Sequence, residues 1–123
     1  MVLVEYFKLV VFERYAQFEG RSGRAEFWWF ALANFIVGAL LQILAAAASG
    51  LIFLYFIYSL ALLIPGLAVG VRRLHDTGKS GWFLLIALIP FVGFIILIVF
   101  LATDGDAAAN EYGNPDPGLP ATA

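Results

Sequence analysis

Cysteine is absent from the chain, which excludes disulfides, thiolate metal sites and cysteine nucleophiles and leaves the redox compartment unread. Histidine occurs once, at His75, and no second donor follows it at helical spacing except Lys79, so spacing supports no metal site. Charge is scarce. Only 13% of the residues are charged and 63% are hydrophobic, against roughly 25% and 45–50% in soluble domains. The chain therefore reads as a membrane protein, and no cofactor is implied. Lys and Arg are missing altogether after Lys79, whereas the last 20 residues carry four acids. Seven bases dispersed beside nine acids leave no electrostatic footprint for nucleic acid. Glu5, Lys8, Glu13 and Arg14 interrupt the first apolar stretch, where a cleaved signal peptide needs an unbroken apolar core.

What the chain does have is long apolar runs. Phe27 to Val71 is 45 residues without a charge, about twice the ~20 that cross a ~30 Å hydrocarbon core. Two spans are expected, at about 27–47 and 51–71, with a tight connection at the small, flexible Ala48-Ser49-Gly50. A buried re-entrant element is the alternative. Asn34, Gln42 and Ser59 lie inside these spans and are expected to bond between helices. Pro65 bends the second span, and the Gly66-x-x-x-Gly70 spacing allows close backbone approach, so a homo-oligomer through Gly66 and Gly70 is one partner expectation. Phe83 to Ala102 supplies 20 more uncharged residues. A third span at about 82–102, kinked at Pro90, is expected, with a re-entrant hairpin as its rival.

Around these runs, residues 2–18 show an imperfect apolar face at helical spacing, with Leu9 and Phe12 straying from it. An amphipathic helix lying in the headgroup layer fits this pattern, with a packing helix or a strand as alternatives. Gly20 and Gly23 end it, Ser22 is expected to cap the next helix, and Glu26 falls in the first turn, where its charge suits the dipole. Phe27, Trp28 and Trp29 mark the headgroup depth. Residues 107–123, rich in Pro, Gly and acids, read as a mostly flexible tail with a turn at Asn110–Pro115. The fold class that results is an all-α membrane protein, a single membrane domain over residues 1–117. It has three transmembrane helices and the N-terminal interfacial helix.

All seven Lys and Arg fall before the first span or between the second and third. Translocation disfavours such residues in short loops, so three spans place the N-terminus and the Arg72–Trp82 loop in the cytoplasm and the C-terminus outside. Arg21, Arg24, Arg72, Arg73 and Lys79 then converge with Trp28, Trp29 and Trp82 on one face, a collar suited to anionic lipid headgroups at about 1 kcal/mol per cation. Topology alone also accounts for the same cations. His75 and Asp76 are sequence neighbours, which is poor support for a catalytic pair; a structural turn is the stronger reading. Gly78-Lys79-Ser80-Gly81 departs from the Walker pattern and follows an apolar helix rather than a strand.

Three stretches carry a family resemblance. Phe18-x-Gly20-Arg21-x-x-Arg24-x-Glu26-Phe27-Trp28, then Arg72-Arg73-Leu74-His75-Asp76-Thr77-Gly78-Lys79-Ser80-Gly81-Trp82, then Asn110-x-Tyr112-Gly113 resemble the small bacterial inner-membrane proteins of domain of unknown function family 805. The resemblance runs from Phe18 to Pro117 and implies a multi-pass protein of the bacterial inner membrane. It supplies no catalytic residues. Glu26, His75, Asp76, Trp82, Asn110 and Tyr112 are the motif residues taken as a candidate pocket. The expected function is non-enzymatic: an integral membrane protein whose basic, aromatic loop binds anionic lipid headgroups or a protein partner. The alternatives are a small oligomeric transporter or channel subunit, and a lipid-headgroup enzyme using His75 and Asp76.

Overall fold

The structure is a computed structural model and describes residues 1–117. Among these residues every regular element is helical. Helix α1 covers Val2–Lys8 and continues as a π-helical turn, Leu9–Glu13. Helix α2 is Arg24–Ala47, a 3-10 turn at Ser49–Leu51 reverses the chain, and α3 is Ile52–Asp76. A second 3-10 stretch, Gly81–Leu88, and helix α4, Val92–Ala102, complete the order. Helices α2 and α3 are both long and apolar enough to cross a membrane.

The connection at Ala48–Leu51 falls where small residues divide the apolar run. Ala48 leaves the helix in an extended conformation and the next three residues turn back. Asn34 accepts a hydrogen bond from the Tyr58 hydroxyl at 2.7 Å, joining α2 to α3. Gln42 and Ser59 instead line an open groove of about 610 Å³ between those helices. Buried Gly70 faces Leu84 of the same chain, 3.3 Å from where a Cβ would stand, whereas a Cβ on Gly66 would meet nothing.

The N-terminal helix differs from the expectation in extent and in the face it presents. It ends at Glu13 rather than at residue 18, and it buries Tyr6, Leu9 and Val10. Val10 joins Phe30, Leu62 and Val69 in one apolar cluster, and Phe7 stacks on Phe30 at 5.9 Å. Leu9, which strays from the amphipathic pattern, is buried because the segment packs on α2 and α3. The Ser22 cap does not form either. Gly23 is the N-cap residue, with no side-chain cap bond, and the Ser22 hydroxyl donates to the Gly23 carbonyl while its N–H donates to Arg72 O.

The third apolar run is not one kinked helix. Its first leg is the 8-residue 3-10 helix Gly81–Leu88 and its second the 11-residue helix α4. At ~2.0 and ~1.5 Å per residue each leg is about 16 Å long. Between them Phe91 takes φ 60° and ψ −63°, and the Val92 N–H donates to Pro90 O at 2.6 Å. This is a γ-turn with positive φ, a strained form. Pro90 thus produces a fold-back instead of a bend. Gly93 makes the closure possible, because a Cβ there would overlap the Ile86 carbonyl of the other leg. Gly81 lies close to Val71 of α3, where a Cβ would stand 2.7 Å from Cγ1. Leu74, Leu97 and Leu101 form the core under the hairpin, with Leu84 and Phe100 against it. The chain therefore leaves α4 beside the end of α3 from which it set out.

A buried charge cluster as the candidate functional site

Successive residues of a helix point about 100° apart, so the end of α3 can address several neighbours at once. Arg72 points to the start of α2. Its Nη1 donates to both oxygens of Glu26, at 2.7 and 2.8 Å, and its Nε to the Gln17 carbonyl at 2.9 Å. Arg73 points to the end of α4. Its Nε donates to Leu101 O at 2.9 Å, its Nη2 to Thr103 O, and its Nη1 to Asp76 Oδ2 at 2.8 Å. Leu74 turns into the apolar core between them and is fully buried.

Asp76 is the hub on the third side. Arg21 Nε donates to Asp76 Oδ1 at 2.9 Å, and the same guanidinium reaches the carbonyls of Asp76, Asp106, Ala108 and Gly113. Gly105 lies flat against the Asp76 carboxylate, which a Cβ would overlap. The residues after α4 therefore wrap around the end of α3 at least as far as Asp116. That carboxylate accepts from Arg14, which also donates to Glu26 at 2.8 and 3.0 Å. Residues 118–123 of the expected flexible tail lie outside the described residues. Burial acts to lower the Arg14 pKa, but the Asp116 hydrogen bond and the charges of Glu26 and Asp116 outweigh it, and the net direction is up.

The electrostatics follow from this geometry. Arg14, Arg21, Arg72 and Arg73 face Glu26, Asp76 and Asp116, and Asp106 is held beside them through Asn110. Arg73 also sets its charge against the last carbonyls of α4, the negative end of its dipole. Arg21, Arg72, Arg73 and Glu26 are 0–3% exposed. Buried charges persist only when paired and hydrogen-bonded, and nearly every polar atom here is. Arg72 Nη2 is a buried nitrogen without a partner.

His75 and the loop after it serve the same closure. His75 Nδ1 donates to Gly20 O at 2.9 Å, a carbonyl being able only to accept. The ring stacks on Tyr112 with centroids 3.8 Å apart and planes at 2°. Asn110 donates to His75 O and Asp106 Oδ2, both at 2.9 Å, and pairs with Gly113 in a short turn. Gly78, at φ +77°, ends α3: its N–H donates to His75 O and that of Lys79 to Leu74 O. That is a Schellman stop. Ser80 then caps the hairpin through Trp82 N, so Gly78-Lys79-Ser80-Gly81 is a helix stop followed at once by a start.

Of the residues singled out from sequence, the structure brings Arg21, Arg72, Arg73, Glu26, His75, Asp76, Asn110 and Tyr112 into one cluster. Three stand apart. Arg24 pairs with Asp104 on the surface, Lys79 sits over the Phe100 ring at 4.9 Å, and Trp82 is 79% exposed. Sequence reasoning missed Arg14, Asp106 and Asp116. Their one signal is that each is a charge close to a motif stretch.

A family model described as protein of unknown function (DUF805) matches residues 15–114. Inner membrane protein YhaI of Escherichia coli (strain K12) is 43% identical over 110 residues, which cover 89% of this chain and 92% of that protein. Inner membrane protein YhaH of the same strain is 42% identical over 116 residues, covering 90% and 95%. Uncharacterized protein YiiR of the same strain is 35% identical over an alignment of 129 positions that covers 78% of this chain and 83% of that protein. No solved structure matches the chain.

Proposed function

The chain belongs to the family described as protein of unknown function (DUF805), and we propose that it is a non-enzymatic protein of the bacterial inner membrane whose charge cluster is an internal clasp. Two spans, α2 and α3, cross the bilayer. The third apolar segment is a re-entrant hairpin whose legs, about 16 Å each, reach halfway into a ~30 Å core. The N-terminus, the Arg72–Trp82 loop and the tail up to Pro117 then share the cytoplasmic side. This replaces the expectation of an outward tail. The positive-inside rule counts Lys and Arg and gives acids little weight, so a tail without a base obeys it on either side.

Headgroup contact falls to the cations at the rim, Arg24 and Lys79, with Trp28, Trp29 and Trp82 beside them. The observation that carries this reading is the burial of Arg21, Arg72 and Arg73, all 0–3% exposed and bonded inside the chain. An arginine that is buried on a carboxylate cannot reach a lipid phosphate. Arg24 keeps a 56% exposed side chain, and its partner Asp104 is 81% exposed, a surface pair of the kind worth about 0–1 kcal/mol.

Native mass spectrometry of the detergent-extracted protein tests the assignment. Retained anionic lipid is expected to fall in Arg24→Ala/Lys79→Ala with the melting temperature almost unchanged. In Arg72→Ala the fold itself is expected to lose about 3–5 kcal/mol, the cost of breaking a buried pair. Undiminished lipid in the double variant overturns the rim reading.

A further inference from the structure

Burial is confined to one end of the molecule. No residue from Asn34 to Ala61 is buried, so the far half of α2 and α3 is a two-helix finger. The buried part begins at Ala33 and Leu62, about 14 and 21 Å from Arg24 and Asp76 at 1.5 Å per residue. Beside that near half lie the Val2–Glu13 segment, which packs Val10 on Phe30, Leu62 and Val69, and the hairpin, which meets Gly70, Val71 and Leu74. Cylinders of ~10 Å diameter add roughly 160 Å² of cross-section for the two legs alone. All of this area falls in one leaflet.

We propose that the protein is a membrane wedge, whose preferred partner is a lipid surface convex on the side of the charge cluster. The inference rests on the re-entrant hairpin proposed above. Lipid, rather than another helix, fits the outer surface of the hairpin. Leu85, Leu88, Phe91, Val92, Phe94 and Ile95 are 55–85% exposed and all bulky, whereas helices pack in lipid through small residues and polar bonds. Gly81 and Gly93 are spent on contacts within the chain, which leaves Ala87 and Ala102, on different legs, as the exposed small residues of the hairpin. The clasp holds the shape: Arg73 ties the end of α4 to α3, so the legs cannot straighten to span both leaflets without breaking a buried charge cluster.

The test uses the full chain carrying one fluorophore at Gly50→Cys, a position with open space around it in a sequence that has no other cysteine. The protein is reconstituted into phosphatidylethanolamine/phosphatidylglycerol vesicles of small and large diameter, and an impermeant quencher sorts molecules by orientation. Molecules with the charge cluster outward are expected to be about threefold denser in small vesicles, ~0.7 kcal/mol at 1.4 kcal/mol per tenfold. Molecules with the cluster inward are expected to show the opposite preference. Equal densities, or a preference that ignores orientation, overturn the wedge. A separate Ala107→Cys variant shows which premise failed. If an impermeant thiol reagent reaches it from the cluster side, the hairpin stands and only the wedge is lost. If it is reached from the Gly50 side, the hairpin fails and the wedge with it.

Discussion

Pro65 lies inside α3 and has no N–H, so the Ala61 carbonyl one turn earlier lacks its helical donor. The Tyr15 hydroxyl fills that place, donating to Ala61 O at 2.7 Å. The bond explains how a proline is accommodated in an apolar helix, since a neighbouring segment re-satisfies the freed carbonyl. Tyr15→Phe is expected to cost about 1 kcal/mol, read as a lower melting temperature in detergent. In a Pro65→Ala background the restored N–H serves the carbonyl, so the same substitution is expected to cost close to nothing. A double-mutant cycle with no coupling would remove the bond from the account. At this scale the sequence names the participants without their partners. Pro65 is legible as a bend and Tyr15 only as one aromatic in an apolar stretch, and Arg14 and Asp116 stand 102 residues apart. Composition marks a cluster of arginines, but which carboxylate each one meets is set by the packing of helices.

Element by element, α2 and α3 are the most legible parts, because an uncharged run of twice the spanning length with small residues at its middle admits few arrangements. The third run misleads for a physical reason. Its 20 residues satisfy the length criterion for a span, and Pro90 with Gly93 signals a kink and a fold-back equally well. What decides between them is close approach: Gly93 against Ile86, Gly81 against Val71 and Gly70 against Leu84, contacts that periodicity does not reveal. Gly93→Ala is therefore expected to destabilise the protein by more than the roughly 1–3 kcal/mol of ordinary overpacking, because the clash is with backbone. Phe91→Gly is expected to raise stability by about 1 kcal/mol, since glycine adopts positive φ without a Cβ penalty. Thermal unfolding of both variants in one detergent checks the pair. Opposite signs are required, and a stable Gly93→Ala protein would mean that the legs are not closed on one another.

For the whole molecule, the end of α3 closes one structure from four parts of the chain: the loop before α2, α2 itself, the end of α4 and the tail. This accounts for the density of Arg72–Trp82, which exceeds what orientation in a membrane requires. Arg72 holds α2, Arg73 holds α4, Asp76 holds Arg21 and the tail, and Gly78 to Gly81 stops one helix and starts the hairpin. The resemblance marks these residues from the sequence, yet their purpose stays hidden there because each acts on a different distant segment. Topology is where the proposed reading departs furthest from the sequence. Seven bases flanking the first two spans orient α2 and α3 under the positive-inside rule, but the rule is silent on a tail that has none, and an odd count of spans sends that tail to the side opposite the one proposed above. Alkaline phosphatase fused at Ala123 is expected to be inactive and green fluorescent protein at the same site fluorescent, the pattern of a cytoplasmic end. Phosphatase inserted at Gly50 is expected to be active. Active phosphatase at Ala123 would require α4 to end across the membrane from Arg73, and the Leu101 and Thr103 carbonyls could not then reach its guanidinium.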